Sequence, residues 1–483
     1  MTQDVTQERA GVEEWTGLAV LALPCLLVSM DAHVLNLAIP RLTAELRPTT
    51  TQLLWIVDSY AFLVAGFLMT AGALGDRLGR RRVLLVGAAG FGLASLLAAF
   101  ATSPAMLIAA RVLLGVAGAT LMPSTLSLIR VMFRDDRQRR TAFGVWTASF
   151  ALGGLIAPVV AGVLLERFWW GSVFLVAVPP MAVLLVAGPR LLPEFRAPGN
   201  ARIDAVSAAL SIAGVLAVVY GIKRAAQSGL DLQAGLPIAA GILLLAVFVR
   251  RQRRDDPWID LGLFRRRPFS VPLAANALCF FVLYGTSFFF TQYLQRVLGL
   301  PPLEAGLWTL PGTLGYLLGS AIAPFAANRL RPVWLLSSSL VVTAVGFGLL
   351  TQLDAQSGLP LLVTGAVIFS IGLAPVYVVT TELTVASAPP ERSGVASGIL
   401  ETCTELGGAL GIAFLGSLGG AVYREAMAGE FAGSPGEAFT LAFRTVEVLG
   451  AGLIAALAVT TAVLLRRRAA EDTRAGAVAS ANP

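Results

Sequence analysis

Charge is what this sequence lacks most. Only 13% of its 483 residues are Asp, Glu, Lys or Arg, against about 25% in ordinary soluble domains. Lysine is almost missing: Lys223 is the single copy. No G-x-x-x-x-G pattern precedes it, which excludes a phosphate-binding loop and with it a self-contained ATPase. Histidine is also reduced to one, His33, which reads as a packing or mouth-lining polar group rather than a proton relay. The three cysteines, Cys25, Cys279 and Cys403, lie far apart inside apolar runs and have no metal spacing. They read as small packing residues, so neither a metal nor a cofactor is expected. No stretch between apolar runs is long enough for a large soluble domain. An enzyme is therefore not expected, and energy would have to come from a gradient or a separate subunit.

What is present in excess is apolar sequence: 56% hydrophobic residues and a mean hydropathy of +0.76. A membrane helix needs about 20 mainly apolar residues. That ruler gives about fourteen spans, near 16–38, 52–74, 83–102, 105–129, 141–165, 170–191, 205–223, 235–249, 270–293, 304–325, 333–352, 360–383, 394–421 and 441–465. The fold class is thus an all-α polytopic membrane protein whose first partner is the lipid bilayer. Net charge +7 and pI near 9.8 do not signal nucleic acid, because the basic residues sit in short loops rather than on one soluble face. Counting Arg and Lys by loop gives 27 on the side of both termini, 8 on the other and Arg111 inside a span. Short basic loops stay cytoplasmic, so both ends are expected in the cytoplasm. Residues 1–14 contain four acids and one arginine, so the first apolar run is expected to be a retained helix rather than a cleaved signal.

The longest loops follow the sixth and eighth spans. They divide the chain into a cytoplasmic segment 1–14, a six-helix bundle 15–192, a two-helix insert with flanking cytoplasmic loops 193–268, a second six-helix bundle 269–466 and a cytoplasmic tail 467–483. Asn328-Arg329-Leu330 after the tenth span echoes Asp76-Arg77-Leu78 after the second, a weak hint of two parallel repeats.

Charged side chains inside a membrane cost at least about 2.5–3.5 kcal/mol each at a helix centre and are candidates for function. Here they are Asp31, Asp58, Arg111, Glu401 and Glu405, with Glu382 near the end of its span. Glu401 and Glu405 are four residues apart and share a helix face. Such carboxylates can exchange a proton for a cationic ligand. Between the second and third spans, Gly72, Asp76, Arg77, Gly79 and Arg80 form a tight loop in which opposite charges could latch neighbouring helix ends. Gly153, Ala157, Pro158, Ala161 and Gly162 place small residues and a proline on the fifth span, a groove for close helix approach. Trp15, Trp55, Trp169 and Trp170 read as interface anchors, and Trp55 could also line a mouth.

Together these motifs resemble the major facilitator superfamily, and within it the fourteen-span drug:proton antiporters of the QacA and EmrB kind. Residues 72–82 resemble its loop signature after the second span. Leu107-x-x-x-Arg111-x-x-x-Gly115-x-x-Gly118 resembles its fourth-span signature, and residues 153–162 its antiporter signature. Met30-Asp31-x-x-Val34-x-Asn36-x-Ala38-x-Pro40 and Trp55-Ile56-Val57-Asp58 resemble the first- and second-span signatures of the fourteen-span group. The resemblance implies two six-helix bundles plus two extra spans. It implies export of hydrophobic, mostly cationic compounds in exchange for protons, by alternating access, from a monomer in the cell membrane. Proton coupling would fall to Asp31, Asp58, Arg111, Glu401 and Glu405, and substrate binding to Asp31, Trp55, Asp58, Glu401 and Glu405. Gly72, Asp76, Arg77, Gly79 and Arg80 would be the conformational latch, and Gly153, Ala157, Pro158 and Gly162 the antiporter motif. The sequence departs from the pattern at Ala157 and Ala161, where glycines are usual, and Glu304 only begins the tenth span. An exporter of one native metabolite or antibiotic, or a proton-independent facilitator, remains an alternative.

Overall fold

The structure is a computed structural model that describes residues 10–196, 204–228, 231–253, 260–354, 358–429, 431 and 433–481. Expectations for residues 1–9, for the middle of the Arg250–Arg267 loop, for the last two residues and for the His33 side chain lie outside the described residues.

Sixteen α-helices follow one another: α1 (Val12–Leu46), α2 (Thr50–Leu78), α3 (Arg80–Ala99), α4 (Pro104–Met132), α5 (Asp136–Arg167), α6 (Ser172–Leu175), α7 (Val178–Leu191), α8 (Ala205–Ser228), α9 (Leu232–Arg251), α10 (Arg267–Arg296), α11 (Pro302–Leu307), α12 (Leu310–Arg329), α13 (Pro332–Leu350), α14 (Gly358–Ser387), α15 (Ser393–Ala428) and α16 (Pro435–Ala481). Among the described residues there is no strand. Among the described residues, fourteen segments are long and apolar enough to cross a membrane. The sixth joins α6 to α7 and the tenth joins α11 to α12. The expected span count is met, but several helices outrun their apolar cores. α1 continues to Leu46, and α5 begins at Asp136 through a polar first turn. Backbone hydrogen bonding carries a helix beyond the hydrocarbon slab wherever no residue breaks it.

Helix ends follow local chemistry. Thr49 and Gln52 form a reciprocal capping box at the start of α2, with bonds of 3.2 and 3.0 Å. Ser103 and Asp135 accept the Met106 and Gln138 amides at the starts of α4 and α5. Gly79 alone separates α2 from α3, at φ +110°. A side-chain-bearing residue rarely adopts that conformation, which is why the loop signature needs glycine there.

The chain forms two compact units. The first holds residues 1–270 and 381–409, the second residues 271–380 and 410–483. In the first, α1 packs on α5, α2 on α4, α3 on α4 and α7, and α8 lies between α2 and α9. Its most enclosed side chains include Trp146, Arg80, Arg111 and Phe91. In the second, α13 packs on α16, and glycines allow helices to meet at the backbone. A Cβ at Gly319 would sit 2.5 Å from the Ile371 carbonyl oxygen, and one at Gly411 would sit 1.9 Å from that of Phe281. The stretch 381–409 was expected within a second bundle, 269–466. Its contacts put it in the first unit, because Gly394 and Gly398 let α15 approach α2 backbone to backbone.

Candidate functional site

Asp31 and Arg111 lie 80 positions apart and meet in the interior of the first unit. Arg111 Nη1 donates to Asp31 Oδ2 at 2.5 Å, and its Nε donates to the Ile56 carbonyl at 3.0 Å. The guanidinium stands 4.6 Å from the centre of the Tyr60 ring. The Arg111 side chain is 2% exposed and that of Asp31 11%. Arg111 thus has both partners that a buried cation needs, a carboxylate and a backbone carbonyl. Beside Asp31 is a recess lined by Met30, Val34, Phe91, Phe174 and Ala177, with room for about one water.

Asp58 lies farther along α2 and is held by a residue that the sequence reading treated only as a loop charge. Lys223 Nζ donates to Asp58 Oδ1 at 2.6 Å, and the ammonium lies 4.5 Å from the centre of the Phe62 ring. Trp55, expected at an interface or mouth, is 42% exposed and stacks on Tyr220. The usable signal for Lys223 was its rarity, combined with its position on the same side of the membrane as Asp58.

Glu401 is buried and Glu405 half-buried on α15. Glu405 interacts electrostatically with Lys223 and Tyr60, and Glu401 with Cys25. Both therefore interact with side chains of the first unit, whereas the sequence places them in the second bundle, 269–466. Within this unit the structure pairs Asp31 with Arg111 beside Tyr60 and Asp58 with Lys223 beside Phe62, with Glu405 interacting electrostatically with Tyr60 and Lys223.

The Gly72–Arg80 loop makes a separate cluster. Asp76 Oδ1 accepts from Arg80 Nη2 at 2.8 Å, Arg80 Nε at 3.0 Å and the Gly394 amide at 3.0 Å, and Oδ2 accepts from the Val395 amide at 2.9 Å. Asp76 thus caps the first turn of α15, where free amides and the helix dipole favour an anion. Arg80 also donates to the Ser127 carbonyl at 3.2 Å and to that of Pro390. A Cβ at Gly72 would lie 2.1 Å from the Gly394 oxygen, so glycine is required at this crossing. Glu382, near the end of its span, is buried at 6% exposure and paired with Arg140 at 3.2 Å, while Arg130 donates to the Ala386 carbonyl. Arg77 is half-buried in the same loop.

On α5, Gly153 meets α1: a Cβ there would lie 2.2 Å from the Leu26 oxygen. Ala157 and Ala161 are fully buried, so the two departures from the usual glycines are part of the packed stripe. Gly162 faces open space and Pro158 is exposed, so neither lines that stripe as expected. Trp170, expected as an interface anchor, is buried at 2% exposure.

One acid was overlooked altogether. Glu447 lies within the last span, is 1% exposed, and neither carboxylate oxygen has a hydrogen-bond partner. The rule that singled out Asp31 would have found it.

The profile of the Major Facilitator Superfamily matches residues 21–412 and 273–482. The chain belongs to the major facilitator superfamily. This superfamily member is 46% identical over 417 residues to "Multidrug efflux pump LfrA" of Mycolicibacterium smegmatis, covering 86% of this chain and 83% of the relative. It is 33% identical over 407 residues to "Tetracenomycin C resistance and export protein" of Streptomyces glaucescens, covering 84% and 76%. Its fold is similar to that of the human organic anion transporter MFSD10 (TETRAN), with TM-score 0.62 at 19% identity, over 91% of this chain and 99% of that one. As a major facilitator protein it is a multi-pass membrane transporter with an all-α, fourteen-span fold, and its relatives are multidrug and antibiotic efflux pumps.

Proposed function

We propose that this transporter exports hydrophobic, mostly cationic compounds across the cell membrane in exchange for protons, acting as a monomer with both termini cytoplasmic. The observation that carries the reading is the buried Asp31–Arg111 pair, continued through Tyr60, Glu405, Lys223 and Asp58. A proton and a cationic substrate compete for the same carboxylates. Protonating Asp31 breaks its ion pair and frees Arg111, which changes the contacts of α1, α2 and α4 at once. That is the differential interaction an alternating-access cycle needs. The Asp76 cluster and the Arg140–Glu382 pair act as latches that release during the cycle, and the 27-to-8 basic asymmetry supports their cytoplasmic placement.

The test is ethidium transport in inside-out vesicles. Imposing a proton gradient should drive accumulation, an uncoupler should abolish it, and Asp31→Asn should do the same at unchanged protein level. Accumulation that survives the uncoupler would overturn proton coupling. A narrower reading, export of one native antibiotic, draws on the relative named for tetracenomycin C. It predicts that most lipophilic cations fail as substrates.

A further inference from the structure

The surroundings of Asp58 have the makings of a cation receptor, and the receptor is already occupied. On α2, Trp55, Asp58 and Phe62 recur at helical spacing and share one face. On α8, Tyr220 and Lys223 are three residues apart and share another. The three rings lie against each other: Trp55 on Tyr220 at 6.4 Å and 14°, Trp55 on Phe62 at 6.1 Å and 69°, Phe62 on Tyr220 at 6.4 Å and 60°. The Lys223 ammonium sits 4.5 Å from the Phe62 centroid with the Asp58 carboxylate 2.6 Å away. A carboxylate paired with a cation that lies over an aromatic ring, itself packed in a cluster of rings, is the chemistry that recognises quaternary ammonium and other diffuse organic cations.

Lysine is a poor permanent tenant for such a box. Its ammonium is compact and strongly hydrated, on a long flexible stem. Here the Lys223 and Asp58 side chains are 29% and 22% exposed, so the pair is open to exchange with an incoming cation. Lys223 is the only lysine in the chain, in a sequence that otherwise uses arginine for its positive charges. Arginine in its place would form a planar, forked and more persistent pair. Glu405, also within electrostatic reach of Lys223, offers a displaced ammonium a second carboxylate.

We propose that Lys223 is a tethered surrogate cation: it fills a site made of Asp58, Trp55, Phe62 and Tyr220, and a lipophilic organic cation binds there by displacing it. The first of the two extra spans, α8, then contributes directly to substrate recognition. This deepens the proposed export of cations and rests on it for its physiological meaning.

Because the chain has one lysine, the wild-type protein tests the idea without any substitution. Purified full-length protein in detergent is treated with an amine-reactive reagent, and modification of the Lys223 peptide is followed by mass spectrometry with and without tetraphenylphosphonium. Displacement should speed Lys223 labelling several-fold at saturating cation. Unchanged or slower labelling overturns the proposal. In parallel, Lys223→Met should tighten tetraphenylphosphonium binding about tenfold, equivalent to about 1.4 kcal/mol. Lys223→Arg should not tighten it, and Tyr220→Ala should weaken it. If Lys223→Met keeps the wild-type melting temperature and binds no more tightly, Lys223 is a strut between α2 and α8. Proton-driven efflux is measured separately on the wild-type protein, so failure of the cage and failure of the pump reading are separable.

Discussion

Asp76–Arg80 and Asp58–Lys223 are both carboxylate–cation pairs on α2, yet they are built to opposite specifications. The first is sealed, with side-chain exposures of 5% and 0%, and Asp76 takes four hydrogen bonds from two elements. The second is open, at 22% and 29%, and the lysine makes one hydrogen bond to its acid. Removing one partner of a sealed pair leaves an uncompensated buried charge, worth about 3–5 kcal/mol. An open pair contributes about 0–1 kcal/mol and can be exchanged at little cost. The contrast separates contacts that define a conformation from contacts that a ligand can replace. Glu447 is a third type: sealed, with no hydrogen-bond partner among the described residues.

The sharpest way to break the comparison is at the sealed pair. Asp76→Ala strands Arg80 and frees the α15 amides, and should cost about 3–5 kcal/mol, read as a large fall in melting temperature in detergent. The milder Asp76→Asn should slow transport severely while leaving equilibrium dye binding nearly unchanged. Loss of binding at normal protein level would make Asp76 part of the ligand site instead. Next is Arg111→Gln, which removes the cation that donates to both the Asp31 carboxylate and the Ile56 carbonyl. Ethidium accumulation should fall at least about tenfold, the rate equivalent of about 1.4 kcal/mol. Glu401→Gln combined with Glu405→Gln should remove the pH dependence of substrate binding, and unchanged proton-driven efflux would eliminate the two as coupling groups.

Glu447→Gln sharpens the third category. Glutamine keeps the size and shape of the side chain without its charge, so the melting temperature should stay near that of the wild type. If Glu447 cycles its proton, the pH profile of efflux should shift, and an unchanged profile assigns it a packing role. The smallest effect belongs to an open pair outside the spans. Hydrogen bonds from Arg251 and Ser207 hold the Asp204 carboxyl well below the usual carboxylate range despite partial desolvation. Its folded value is depressed, so its contribution is present above about pH 3.9 and fades as pH falls toward the lowered value. Asp204→Asn should lower the melting temperature slightly at pH 7, where the contribution is fully present, and flatten its decline below pH 4.

The spans were legible because membrane crossing imposes length, apolarity and arginine asymmetry on local sequence. Their edges were less so, since α1 and α5 run into polar sequence that still satisfies helix hydrogen bonding. Asp31, Asp58 and Arg111 stood out singly by the cost of burying charge. That Arg111 would choose Asp31, and Asp58 would choose Lys223 from 165 positions away, is decided by packing between distant helices and leaves no local mark. Glu401 and Glu405 were legible as a pair but not as to which unit they join, because Gly394 and Gly398 act through contact with α2 rather than through spacing. Glu447 was missed despite carrying the same signal as Asp31.

At Gly72, Gly394 and Gly398, α2 and α15 touch through main chain, with no interleaved ridges to climb over. Mechanically this is a smooth bearing, and Asp76 is one of the catches that hold it. Once the hydrogen bonds of Asp76 let go, the helices can slide without any side chain having to repack. On the proposed cycle, the rate of opening would then depend on these few carboxylates more than on the area of the joint.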